Sequence, residues 1–161
     1  MEAGIILRLA AFVLLMCLSA CFSASETAFF SLSRVRVRTL RKESKLGERI
    51  GLLLERPRRL IISILMGNEI VNIIASALFT GSVVLLLGEG QTWLAPILMI
   101  PLLMVFGEIT PKSVAARYPE SFARILAIPL ALFTRLIHPL RWVFLIISNA
   151  VLSLLGAGTR D

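Results

Sequence analysis

From Leu60 to Leu87 the chain carries only one ionisable side chain, Glu69. A hydrocarbon core about 30 Å thick takes roughly 20 apolar residues of helix. Inside it, each backbone polar group must find its partner within the protein. A run of this length therefore predicts a membrane-spanning helix. A second apolar run extends from about Ile5 to Leu32, interrupted by Arg8 and Glu26, and a shorter third covers about 92–110, with Pro96 and Pro101 inside it. Over all 161 residues, 57% are apolar and mean hydropathy is +0.87, outside the range of soluble domains.

The net charge of +7 is unevenly placed, with ten of the 17 Lys and Arg lying between Arg34 and Arg59. A basic stripe on a soluble domain would suggest nucleic acid, but here the cations flank spans. They mark the cytoplasmic side, where they also meet anionic headgroups. The turn Leu87-Gly88-Glu89-Gly90-Gln91 has no Lys or Arg and belongs on the opposite side, which puts the N-terminus outside. The basic segment Ser33 to Arg59, with Val35, Val37, Leu40, Leu46, Ile50 and Leu52 to Leu54 among its charges, reads as an amphipathic helix on the membrane surface.

Cys17 and Cys21 lie four residues apart on one helix face and are expected to be buried thiols. Adjacent helical turns hold two sulfurs in poor bridging geometry. Leu18-Ser19-Ala20-Cys21 has the form of a lipoprotein cleavage box, but Glu2 and Arg8 and the apolar continuation through Phe30 favour an uncleaved span. The tail, Ile125 to Leu155, is apolar yet contains Arg135, His138, Pro139 and Arg141. It is open to two readings, a fourth span or bent helices at the cytoplasmic rim; the rim is favoured. Its placement decides on which side Asp161 lies.

Polar groups at membrane depth are costly unless paired or solvated, so each is a candidate functional group. Ser19, Ser23 and Glu26 share one face of the first span, and Asn68 and Asn72 share one face of the second. Glu69 points about 100° away, toward a lumen or a dimer interface. In the third span Gly107 and Glu108 precede Pro111, which is expected to break the helix and free carbonyl oxygens. Serines bonded to their own helix and an asparagine acting as interhelical glue are the plainer readings. Together these groups are hard oxygen donors, the chemistry of Mg²⁺, Ca²⁺ or Na⁺ rather than zinc or copper. With one carboxylate, binding is weak, which suits an ion that must be released. No nucleophile-base pair or phosphate-cradling loop is present, so an enzyme is not expected, and His138 beside Pro139 reads as an interfacial side chain.

Three segments, Leu18-Ser19-Ala20-Cys21-Phe22-Ser23-Ala24-Ser25-Glu26-Thr27-Ala28, Gly67-Asn68-Glu69-Ile70-Val71-Asn72 and Phe106-Gly107-Glu108-Ile109-Thr110-Pro111-Lys112, resemble the signatures of the CorC/CNNM transmembrane domain. Ser25-Glu26-Thr27-Ala28 is similar to the bacterial CorC branch. The resemblance implies an all-α membrane domain spanning three times at about 5–32, 60–87 and 92–110, with juxtamembrane helices at about 34–56 and 112–155. It also implies a homodimer in the inner (plasma) membrane that exports Mg²⁺, with inward Na⁺ as the coupling ion. By the same resemblance Ser19, Ser23, Asn68, Gly107 and Glu108 hold the transported Mg²⁺. Family members continue into paired cytosolic CBS modules, which these residues do not contain. The competing function is a membrane anchor and dimeriser for a cytosolic regulatory region.

Overall fold

The computed structural model describes residues 2–154, so the side on which Asp161 lies falls outside the described residues. Within them every element is helical. Three helical stretches are long and apolar enough to cross a membrane: Gly4–Ser31, Pro57–Leu87 and Leu94–Arg117.

Helix α1 (Glu2–Ser31) runs antiparallel to α4 (Pro57–Leu87). Arg8 lies at Gly81, Phe12 stacks on Phe79 with ring centroids 5.3 Å apart, Ser19 meets Asn68 and Asn72, and Phe22 packs on Gly67. Pro57 starts α4 at a position where a missing N–H costs nothing. Gly88, at φ 88°, ends it and accepts the left-handed conformation that a side chain would resist. A short 3₁₀ turn, Glu89–Gln91, leads into α5 (Leu94–Leu102).

The basic segment forms two helices, where the sequence suggests one. Helix α2 (Arg34–Glu43) and α3 (Lys45–Leu54) fold onto each other around Ser44, whose backbone is extended. The Ser44 hydroxyl accepts from Gly47 N at 3.0 Å, and a serine at this position competes with helix continuation by capping the next helix instead. Gly47 and Gly51 permit the fold-back, because a Cβ on either would collide with the Leu40 carbonyl or the Arg41 side chain. Ser33 caps α2 in the same manner. Val37, Leu40 and Ile50 are buried while the cations face out.

The third span differs most from expectation. Pro111 does not break it. A π-helical stretch, Leu103–Ile109, follows α5, and α6 (Thr110–Arg117) continues from it with Pro111 in its first turn. The Thr110 N–H bonds back five residues to the Val105 carbonyl. Widening the turn just before Pro111 lets the helix pass a residue that has no N–H to offer the Gly107 carbonyl four positions back.

Helix α7 (Pro119–Leu136) and α8 (His138–Leu154) follow. They meet at an angle of 59° and so do not form one straight span. α7 packs on α1, α3 and α4. The core lies at this basic end: Ala24, Ala28 and Phe29 of α1, Ile50 of α3, Leu60 and Ile64 of α4, Ala115 of α6, and Ala123, Leu126, Ala127 and Leu130 of α7. Small residues let helices approach closely where lipid provides no solvent-exclusion force. Salt bridges among Arg36, Glu43, Glu120 and Arg124 tie α2 to α7. Hydrogen bonds from Arg36, aided by Arg124, hold the Glu120 carboxyl below its usual range.

Cys17 and Cys21 are free and exposed in the single chain rather than buried. They lie on a face of α1 turned away from α4 and α7, which the apolar pattern alone could not distinguish from the packed face. Leu65, Ile70, Ile73 and Ile74 similarly project outward from α4.

Candidate functional site

Asn72 stands at the midpoint of α4, fifteen residues from either end of the 31-residue helix. At 1.5 Å per residue that is about 22 Å from each end. Opposite it on α1 is Ser19, fully buried. Its Oγ lies 2.6 Å from Asn72 Oδ1 and 3.2 Å from Asn68 Oδ1. One hydroxyl has one proton, so three oxygens converge with a single donor among them. The shorter bond, to Asn72, takes it, and both amides also carry N–H donors.

One turn along α1, Ser23 is also buried and donates to the backbone carbonyl of Glu108 at 3.2 Å. This bond joins α1 to the π stretch. Gly107 completes the contact: a Cβ there would stand 2.9 Å from Ser19 Oγ, closer than real Cβ contacts allow. Glycine therefore brings the backbone of the third span against the serine. Pro111 lacks the N–H that an α-helix would offer the Gly107 carbonyl. Glu108 is half-buried, and its carboxylate takes part in none of the hydrogen bonds or ion pairs found among the described residues.

Ser19, Ser23, Asn68, Gly107 and the backbone of Glu108 thus come from three helices and meet around one locus. Their local environments separate them from other serines in the bundle. Ser25 donates to its own helix at the Cys21 carbonyl, and Ser63 does the same at Arg59. Ser19 and Ser23 turn to other helices. Glu69 is exposed on α4, on a different face from Asn68 and Asn72.

Asn72 is the residue that the sequence pointed to without placing. Its four-residue spacing from Asn68 puts both on one face, but only the packing of α1 brings one serine against both amides. Nearer the basic end, Glu26 and Lys112 form an ion pair at 3.0 Å between α1 and α6. Glu26 follows Ser23 by three residues and Lys112 follows Glu108 by four, so the pair lies one turn below the locus. Among the described residues no three His, Cys, Asp or Glu side chains gather, and Glu108 is joined to the locus through its backbone carbonyl.

The family model described as the cyclin M (CNNM) transmembrane N-terminal domain matches residues 9–161. The chain belongs to the CNNM family. A UPF0053 inner membrane protein of Escherichia coli is 37% identical over 143 residues, covering 88% of this chain and 33% of the relative. A UPF0053 protein of Haemophilus influenzae is 35% identical over 147 residues, covering 89% and 35%. A DUF21 domain-containing chloroplastic protein of Arabidopsis thaliana is 33% identical over 160 residues, covering 99% and 24%. The chain thus spans about a quarter to a third of the length of these relatives.

Proposed function

We propose that this CNNM domain carries Mg²⁺ across the membrane, as an exporter driven by inward Na⁺. The observation that supports it is the gathering of oxygen atoms from three helices near the midpoint of α4. An isolated interhelical hydrogen bond would need one donor and one acceptor; here one hydroxyl faces two amides, and the neighbouring helix brings a backbone carbonyl to Ser23. Mg²⁺ takes six oxygens in near-octahedral array. Ser19, Ser23, Asn68, the Gly107 carbonyl and Glu108 supply five, and Asn72 brings the set to six.

Mg²⁺ is the transported substrate and Na⁺ the coupling ion. One carboxylate against a divalent charge keeps binding weak enough for release. The basic end, with α2 and α3, lies in the cytoplasm by the positive-inside rule, so the N-terminus is outside. In a bacterial cell the membrane is the inner one, consistent with the name of the E. coli relative. The assembly is a homodimer, whose interface would cover apolar surface left exposed on the single chain. The reading is a transporter, not an enzyme.

The test is Mg²⁺ efflux from preloaded liposomes. Glu108→Ala abolishes efflux while the dimer stays intact on size exclusion; unchanged flux removes Glu108 from the site. If the wild-type protein shows neither flux nor a Mg²⁺-dependent thermal shift, and Asn68 and Glu108 variants only unfold, the domain is a membrane anchor for a cytosolic region instead.

A further inference from the structure

At the basic end, away from the Ser19–Asn72 locus, four elements border an open groove of about 320 Å³. Arg56 at the start of α4, Arg59 on α4, Arg135 on α7, and His138 and Arg141 on α8 line it, with no carboxylate among the described residues of its wall; Glu55, paired with Arg41, lines the adjoining groove. None of these arginines joins the salt bridges found among the described residues, which instead use Arg36, Arg41, Lys112 and Arg124. The usual explanation of a cationic cluster, a solvated surface with interspersed acids, does not fit Arg141. Arg141 is 7% exposed, and its partner is the buried hydroxyl of Ser63 at 3.0 Å, a neutral acceptor. A buried guanidinium facing other cations is stable only if an anion joins it.

We infer that this groove binds a phosphate-bearing anion, and that its source is the headgroup of an anionic phospholipid. Guanidinium groups match phosphate geometry through paired N–H donors. Two features favour lipid over free phosphate. Leu52, Leu53 and Leu60 share the groove wall with the arginines, giving acyl or glycerol carbons an apolar side. The groove also lies where α4 begins its apolar run, the level at which headgroups sit. The 59° bend between α7 and α8 is what brings Arg135 and Arg141 to the same space.

The experiment uses detergent-purified protein titrated with phosphatidylglycerol, phosphatidylcholine or inorganic phosphate, read by native mass spectrometry and thermal shift. Phosphatidylglycerol is expected to bind and stabilise, and phosphatidylcholine is not. Arg59→Gln and Arg135→Gln each weaken phosphatidylglycerol retention about fivefold, while Arg38→Gln, on α2 outside this groove, leaves it unchanged. These variants avoid the buried Arg141, whose bond to Ser63 gives its loss a packing effect of its own. Equal weakening by Arg38→Gln means diffuse attraction to a basic surface and overturns the site. Stabilisation by inorganic phosphate with no gain from lipid upholds a phosphate site and overturns the lipid as its source.

Discussion

Gly67→Ala tests whether the packing beside the proposed site is as tight as its geometry requires. A Cβ at residue 67 would stand 2.7 Å from Phe133 Cε1 and Cζ and from Phe22 Cε1. Ordinary carbon contacts are about 3.5–4.0 Å, so the helices must separate by roughly an ångström. The rings cannot simply rotate away, since they already pack on each other with centroids 4.7 Å apart and planes tilted by 60°. Overpacking of this kind costs about 1–3 kcal/mol, or a fall of about 2–12 °C in Tm for a chain of this size. The next residue, Asn68, lies 3.2 Å from Ser19 Oγ, so the same displacement pulls it from the oxygen cluster. The expected result is a lower Tm together with lost Mg²⁺ efflux at temperatures where the variant remains folded. Phe133→Ala, placed on top of Gly67→Ala, removes two of the three clashes and recovers most of the flux. If Gly67→Ala matches wild type in Tm and flux, or if Phe133→Ala gives no recovery in the double mutant, the packing account is wrong.

Ser19→Ala is expected to lower Mg²⁺ affinity at least tenfold in calorimetric titration, because it removes a donor oxygen and about 1 kcal/mol of cross-helix bonding. Ser25→Ala, whose hydroxyl bonds only its own helix, leaves affinity unchanged. Asn72→Ala impairs efflux as strongly as Asn68→Ala, and full activity of the Asn72 variant would remove it from the ligand set. Acid should loosen α2 from α7. The Glu120 carboxyl is held low by Arg36, so its contribution is present above the usual value of 4.5 and is lost as pH falls through the lower folded value. Amide exchange in α2 should therefore accelerate only below pH 4.5 in wild type, and already be fast at neutral pH in Glu120→Gln. Gly47→Ala, whose Cβ would strike the Leu40 carbonyl, unfolds the α2–α3 hairpin, visible as protease cleavage between residues 43 and 55.

The membrane fold was legible in the sequence because the bilayer leaves few alternatives. An apolar run as long as Leu60–Leu87 must satisfy its backbone internally, so composition dictates a helix, and clustered cations dictate which loops share a side. Ser19, Ser23, Asn68 and Glu108 also stand out in the sequence, since nearly all else in the spans is apolar, and the structure brings Ser19 against Asn68. Local signals with two outcomes were not. Ser44 could sit within one amphipathic helix or cap a second, and the fold-back of α3 on Gly47 and Gly51 decided it. Pro111 could end the third span or be accommodated, and the π stretch before it accommodated it. Periodicity placed Cys17 and Cys21 on one face without saying which faces α1 would bury. Distances between helices belong to packing alone. The sequence shows that Asn68 and Asn72 share a side of α4, but only the tertiary structure sets the Ser19 hydroxyl against both amides near the centre of that helix, because the approach of α1 depends on contacts made many residues away.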